Sequence, residues 1–250
     1  MRSIKSLSAC NVYHFMGLIG QIYLNCTQAW QFNYSQFVNC GMNILLVAAT
    51  ELEIKPIVDH LNALENSTNI VDVLVTGAGM TATAFAMGKA LCSKKYDLAI
   101  NAGIAGAFDR SLKVGEVVNV NLDIFAELGA EDGENFISID ALGFGSSGIK
   151  PVKHLEHQTL AAFRQVKAIT VNKVHGNDES IYSTSIRLNP QTESMEGAAF
   201  FFACNKEGLE CLQLRAISNY VERRNRANWN IELAVENLNR TLIELLNHLS

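Results

Sequence analysis

The sequence predicts one α/β domain, a three-layer sandwich around a central, mostly parallel, mixed sheet. Three observations carry that expectation. From Met42 onward, short apolar runs alternate with stretches of helical periodicity. The runs are apolar at nearly every position, as strands covered on both faces are. The chain has 250 residues, which suits one domain large enough to bury roughly 70–75% of the surface its unfolded form exposes.

Taken in order, residues 44–49 read as the first buried strand. A polar stretch with Glu51 and Glu53 follows, then a second strand over 70–76. Gly77-Ala78-Gly79 opens a helix of small residues over 81–92. Residues 98–102 form a strand that runs into Gly103-Ile104-Ala105-Gly106. Further strands are expected at 117–120, 168–171 and 211–218. Residues 197–207 have helical spacing, and Gly208 is the natural stop. A last helix begins near Asn230 and carries Ile231, Ala234, Leu238, Leu242, Leu245 and Leu249 on one face. In sheets of this type, ligands bind beyond the carboxyl ends of the strands. That rule gathers 50–53, 77–79, 103–106, 194–196 and 218–219 on one rim.

The bulk numbers exclude several classes. Net charge is −5 and no basic stripe is present, so nucleic acid is not expected as a partner, because phosphate contacts need clustered Lys and Arg. Six cysteines show no C-x-x-C or zinc-like spacing, so buried free thiols in a reducing, cytoplasmic compartment are expected, without a metal. Residues 1–41 differ from the rest. Arg2 and Lys5 precede an apolar run over 15–24 that superficially resembles an export signal. The run is too short to span a bilayer and leads to no clear cleavage site. We read 1–41 as a poorly ordered extension or the product of a start codon set too early. Residues 42–250 are the expected catalytic domain.

Candidate chemistry lies on the rim. Glu51 and Glu53 follow the first strand, where acids in a first helical turn are ordinarily explained by the helix dipole. Glu196 precedes small, buried-looking residues, where a carboxylate is costly unless paired. Asn219 ends a strand, a place where Asn is usually a turn residue. The glycine loops match neither the dinucleotide fingerprint nor the P-loop, and no cofactor is implied. Their glycines suit a flat ligand lying close to the backbone.

Taken together, these motifs resemble the nucleoside phosphorylase and methylthioadenosine nucleosidase family. The motifs are Ala48-Ala49-Thr50-Glu51-Leu52-Glu53, Asn101-Ala102-Gly103-Ile104-Ala105-Gly106, Met195-Glu196-Gly197-Ala198-Ala199 and Arg215-Ala216-Ile217-Ser218-Asn219. The resemblance covers 42–250 in unbroken order and implies a nucleoside phosphorylase-like fold. The run from Glu193 to Ala199 and the long run from Ser218 to Trp229 resemble the futalosine-cleaving branch of that family, which serves menaquinone biosynthesis.

The resemblance implies a small-molecule nucleoside as substrate and a homodimer or larger homo-oligomer. Glu53 would hold and deprotonate the attacking water. Glu196 would accept from the ribose hydroxyls, with Met195 against the sugar. Ala78, Ile104, Ala105 and Gly106 would contribute backbone contacts, and Ser218 would orient Asn219. The family's adenine-releasing members carry Asp where this chain has Asn219. An amide offers a donor to a 6-oxo group, where a carboxylate would set acceptor against acceptor. Hydrolysis of futalosine with release of hypoxanthine is therefore the leading expectation. The rival readings are a methylthioadenosine or aminofutalosine nucleosidase, a purine nucleoside phosphorylase, and a non-catalytic nucleoside-binding protein. Glu51 and Glu53 oppose phosphorolysis, since carboxylates repel a phosphate dianion.

Overall fold

Each strand and helix expected after residue 42 is present, and most run longer than the apolar run that marks them. The structure, a computed structural model, describes residues 41–64 and 68–249. The extension expected over 1–41 therefore lies, up to residue 40, outside the described residues.

The strands are β1 (Asn43–Ala48), β2 (Ile70–Val75), β3 (Leu98–Ala107), β4 (Val117–Phe125), β5 (Gly129–Asp132), β6 (Asn135–Ser138), β7 (Gly148–Ile149), β8 (Gln165–Thr170), β9 (Thr192–Ser194) and β10 (Glu210–Tyr220). The helices are α1 (Glu51–Ala63), α2 (Met80–Ser93), α3 (Asp178–Leu188), α4 (Gly197–Glu207) and α5 (Ile231–His248). Gly208 ends α4 in the left-handed region, and the Asn230 side chain caps α5 by accepting from the Leu233 N–H.

The sheet is mixed, as expected, but it is not the flat middle layer of a sandwich. Strand order is β10-β4-β8-β9-β3-β1-β2, and β10 also pairs with β3. Five strands thus close into a ring, and β1 and β2 extend from it as a wing. The cause is β3. Its ten residues are long enough for one edge to serve two partners. Leu98 to Asn101 pair in parallel with β1, and Gly106 and Ala107 pair antiparallel with β9. The other edge pairs along its whole length with β10. A twisted sheet with such a shared strand curls onto itself.

Helices cover both faces. Ile44, Leu46, Ile100, Leu212 and Leu214 pack with Ile54, Leu238 and Leu242 of α1 and α5. Val47, Ala99 and Val118 pack with Met87 of α2 and Phe200, Phe201 and Cys204 of α4. Cys204 and Cys211 are buried free thiols, whereas Cys92 is exposed, since it falls on the outer side of α2. Among the described residues, no helix is long and apolar enough to cross a membrane.

Helix α1 contains Pro56, which has no N–H to give the ladder. The buried Asn239 of α5 supports the backbone beside that break. Its Oδ1 accepts from the Ile57 N–H at 3.0 Å, and its Nδ2 donates to the Glu53 carbonyl at 2.8 Å. Replacing Asn239 by Leu leaves both groups buried without that partner. The variant should lose about 1–3 kcal/mol of stability, measured by urea unfolding at neutral pH.

Candidate active site

Glu53 is the third residue of α1 and is 7% exposed. Its Oε2 accepts from the Thr50 N–H and hydroxyl, each at 2.9 Å. Its Oε1 accepts from the Ile104 N–H at 3.1 Å. Three donors thus fix the carboxylate at the end of β1, against the middle of β3. Glu51, by contrast, points to solvent from the first turn. The expectation that both acids repel phosphate is corrected: only Glu53 faces inward, because the helix rotates Glu51 away.

Beside Glu53 lies Arg215 of β10, only 1% exposed. One Nη donates to Asn101 Oδ1 and stands 3.8 Å from Glu196 Oε2. A methyl group on Gly103 would collide with the guanidinium and reach 3.0 Å from Glu53 Oε1. Gly103 is therefore the space that lets Arg215 and Glu53 meet the β3 backbone. The motif Arg215-Ala216-Ile217-Ser218-Asn219 contains this residue without marking a role for it. An arginine between Leu214 and Ala216 in a strand was the available signal, because a buried charge must be paired.

Glu196 stands at the start of α4, 6% exposed. Its Oε1 accepts from the Gly79 N–H at 3.1 Å and its Oε2 from the Met195 N–H at 3.3 Å. Gly79 has φ of 99°, a conformation that favours glycine, and this turns its N–H toward the carboxylate. Met195 is half-buried beside it, and Ala78 is exposed in the same loop. The first turn of α4 meets a buried trio. Thr170 Oγ1 accepts from the Ala198 N–H and donates to Asp123 Oδ1, both at 2.8 Å, and Gln213 Nε2 donates to Asp123 Oδ2 at 2.9 Å. Burial pushes the Asp123 carboxyl up to about 6, against the Gln213 and Thr170 hydrogen bonds and the Arg215 charge.

At the end of β10 the pairing with β3 shifts register between Ile217 and Asn219. Such a bulge re-aims a side chain. Ser218 Oγ donates to Asn219 Oδ1 at 2.8 Å, and Asn219 Nδ2 donates to the Tyr220 carbonyl at 2.9 Å. Asn219 lines a cleft of about 280 Å³ with His175, Arg224 and Trp229. His175 is engaged at both ring nitrogens. Its Nδ1 lies 2.6 Å from Glu193 Oε2 and its Nε2 lies 3.0 Å from Thr184 Oγ1. The 174–178 loop lacks an aromatic residue, but Trp229 enters the cleft from the other side, with Arg224 over its ring at 5.1 Å.

The structure thus brings Glu53, Ile104, Ala105, Gly106, Glu196, Met195, Ser218 and Asn219 to one end of the sheet. Two expectations change. Residues 103–106 are strand, not loop, and the Ile104 N–H is already engaged by Glu53. The rim is not formed by parallel strands alone, since β9 delivers Glu196 from an antiparallel pairing with β3.

The chain belongs to the phosphorylase superfamily, whose model matches residues 43–247. It is 32% identical to the futalosine hydrolase of Streptomyces coelicolor over 168 residues, 64% of this chain and 72% of that one. Among solved structures, the 5'-methylthioadenosine/S-adenosylhomocysteine nucleosidase of Helicobacter pylori with butyl-thio-DADMe-Immucillin-A superposes with a TM-score of 0.70 at 14% identity. That match covers 83% of this chain and 99% of the other. The native futalosine hydrolase of Helicobacter pylori superposes at 0.69 and 14% identity, covering 82% and 97%. At that identity the two structures establish the fold alone.

Asp123 also gives a pH prediction. In the unfolded chain its carboxyl ionises near 3.8, and in the folded chain near 6. Between these values the folded state holds the extra proton, so this group's contribution to stability falls as pH rises. Asp123→Asn removes that dependence. Its stability relative to the parent should rise from about pH 4 to about pH 6 and then level off, read from thermal unfolding across that range.

Proposed function

We propose that this chain hydrolyses the N-ribosyl bond of futalosine, releasing hypoxanthine and leaving dehypoxanthine futalosine, with residues 42–250 as the catalytic domain. The observation that carries the reading is Asn219. Ser218 holds its Oδ1, so Nδ2 is turned outward, and one of its two hydrogens is spent on the Tyr220 carbonyl. The other is free to meet the 6-oxo oxygen or N7 of a purine in the cleft. Similarity to the curated futalosine hydrolase supports the same substrate.

In the reaction the C1'–N9 bond breaks and its electron pair leaves with the base. Asn219 stabilises the charge that develops there. Glu196 accepts from the ribose hydroxyls and Met195 packs on the sugar. Glu53 has one acceptor position left beyond its three donors. It holds water there and takes the proton as the water oxygen bonds to C1'. Ala78, Ala105 and Gly106 line the approach to the sugar and base. Glu53 and Glu196 also keep a phosphate dianion out, because Arg215 is buried and already engaged by Asn101 and Glu196. The reading carries with it a cytoplasmic homodimer. Its face is that of α2 and α4, where Phe85 is 76% and Phe202 44% exposed.

The test is base release from futalosine, inosine and methylthioadenosine, with and without phosphate. Hypoxanthine should leave futalosine fastest, at a rate independent of phosphate. Adenine release from methylthioadenosine outpacing it would sink the substrate reading. Glu53→Gln should lower kcat by about 10²–10⁴-fold with the fold intact by circular dichroism. Asn219→Asp should cut the futalosine rate and raise relative activity on 6-amino nucleosides, seen as a change in the ratio of kcat/KM values.

A further inference from the structure

We propose that the buried trio Asp123, Thr170 and Gln213 is a positioning device for Glu196, anchoring the first turn of α4 so that the carboxylate faces the ribose. The inference rests on the reading of Glu196 as the ribose ligand.

Helix α4 starts without a side-chain cap. A helix N-terminus has four N–H groups without intrahelical partners, and the N-cap side chain ordinarily takes one. Glu196 is the N-cap of α4 and makes no such bond. Its oxygens are turned away from the first turn, to the Gly79 and Met195 N–H groups and toward Arg215. The helix start needs another acceptor, and the sheet supplies it. Thr170 Oγ1 accepts from the Ala198 N–H at 2.8 Å. That hydroxyl in turn donates to Asp123 Oδ1 at 2.8 Å. All three side chains of the trio are fully buried.

The three come from neighbouring ring strands, Asp123 from β4, Thr170 from β8 and Gln213 from β10. The cap is therefore built on three adjacent strands of the ring. Gly197 explains how close it stands. A methyl group there would collide with Asp123 Oδ2 and with both polar atoms of the Gln213 carboxamide. Glycine after Glu196 lets a carboxylate rest flush against the positive end of the helix, where it is also favoured electrostatically. Gln213 Nε2 holds the far oxygen at 2.9 Å and keeps the carboxylate in that orientation. The motif Glu196-Gly197-Ala198 thus has a physical division of parts. Glu196 is released for ligand, Gly197 admits the substitute cap, and Ala198 receives it.

The experiment compares Thr170→Val with Thr170→Ser in the full chain, with futalosine as substrate. Val keeps the shape and removes the hydroxyl, leaving the Ala198 N–H unpaired. Thr170→Val should raise KM about tenfold, the scale of one unsatisfied buried donor, with kcat changed far less. Thr170→Ser should restore KM to within about twofold of the parent. A Thr170→Val variant with lower melting temperature but unchanged KM overturns the inference, because a merely structural hydroxyl would behave that way. If Thr170→Val does not fold, Asp123→Asn carries the test. It keeps the acceptor for Thr170 and removes the charge at the helix end, and a parental KM overturns the inference. Glu196→Gln is measured alongside. If it raises KM and the trio variants do not, positioning alone fails. If it leaves KM unchanged, the ribose assignment fails and the inference falls with it.

Discussion

The site is organised around one buried charge. Arg215 is 1% exposed in the middle of a strand whose neighbours are apolar. A guanidinium there is tolerable only with partners of the right sign and shape. Asn101 supplies an acceptor, Glu196 supplies a negative charge, and Gly103 supplies the room. These come from two segments: two places on β3 and the start of α4. The constraint of pairing Arg215 therefore fixes where β3, β10 and α4 meet, and Glu53 is drawn in beside them.

The carboxylates of Glu53 and Glu196 stand at helix starts, on α1 and α4. The partial positive charge at a helix N-terminus favours an ionised carboxylate. Yet each side chain reaches out to a neighbouring segment. Glu53 takes the Ile104 N–H of β3, and Glu196 takes the Gly79 N–H of the β2–α2 loop. Both helices also have support from other elements. Asn239 supports α1 around Pro56, and Thr170 with Asp123 supports α4. At α4 that outside support frees the Glu196 side chain from capping its own helix, whereas Glu53 still closes a capping box with Thr50 while reaching β3.

Much of this was legible in the sequence and some was not, for physical reasons. Strands buried on both faces are apolar at successive positions, so β1, β3 and β10 announced themselves. Asn219 and Glu196 stood out as polar groups at the ends of apolar runs. The three-residue β9 carries Thr192, Glu193 and Ser194, and nothing in that composition marks a strand. Helix α3 is mostly exposed and polar, so it has no apolar stripe to read. The His175–Glu193 pair joins positions 18 apart, and no local pattern encodes such a meeting. Glu51 misled because spacing alone does not say which of two nearby acids faces inward.

The least legible feature, closure of the sheet, is the one that assembles the site. Strand β3 has β10 along one edge and β9 along part of the other. Arg215 and Asn219 therefore arrive from one side of residues 103–106, and Glu196 from the other. The ring is completed by β4 and β8, which join β10 to β9. A flat sandwich would give β9 no such return path to β3. The short antiparallel pairing of Gly106 with Glu193 and Ala107 with Thr192 is thus what sets the carboxylate of Glu196 facing the guanidinium of Arg215. It also explains why the two motifs, far apart in the chain, belong to one chemical unit.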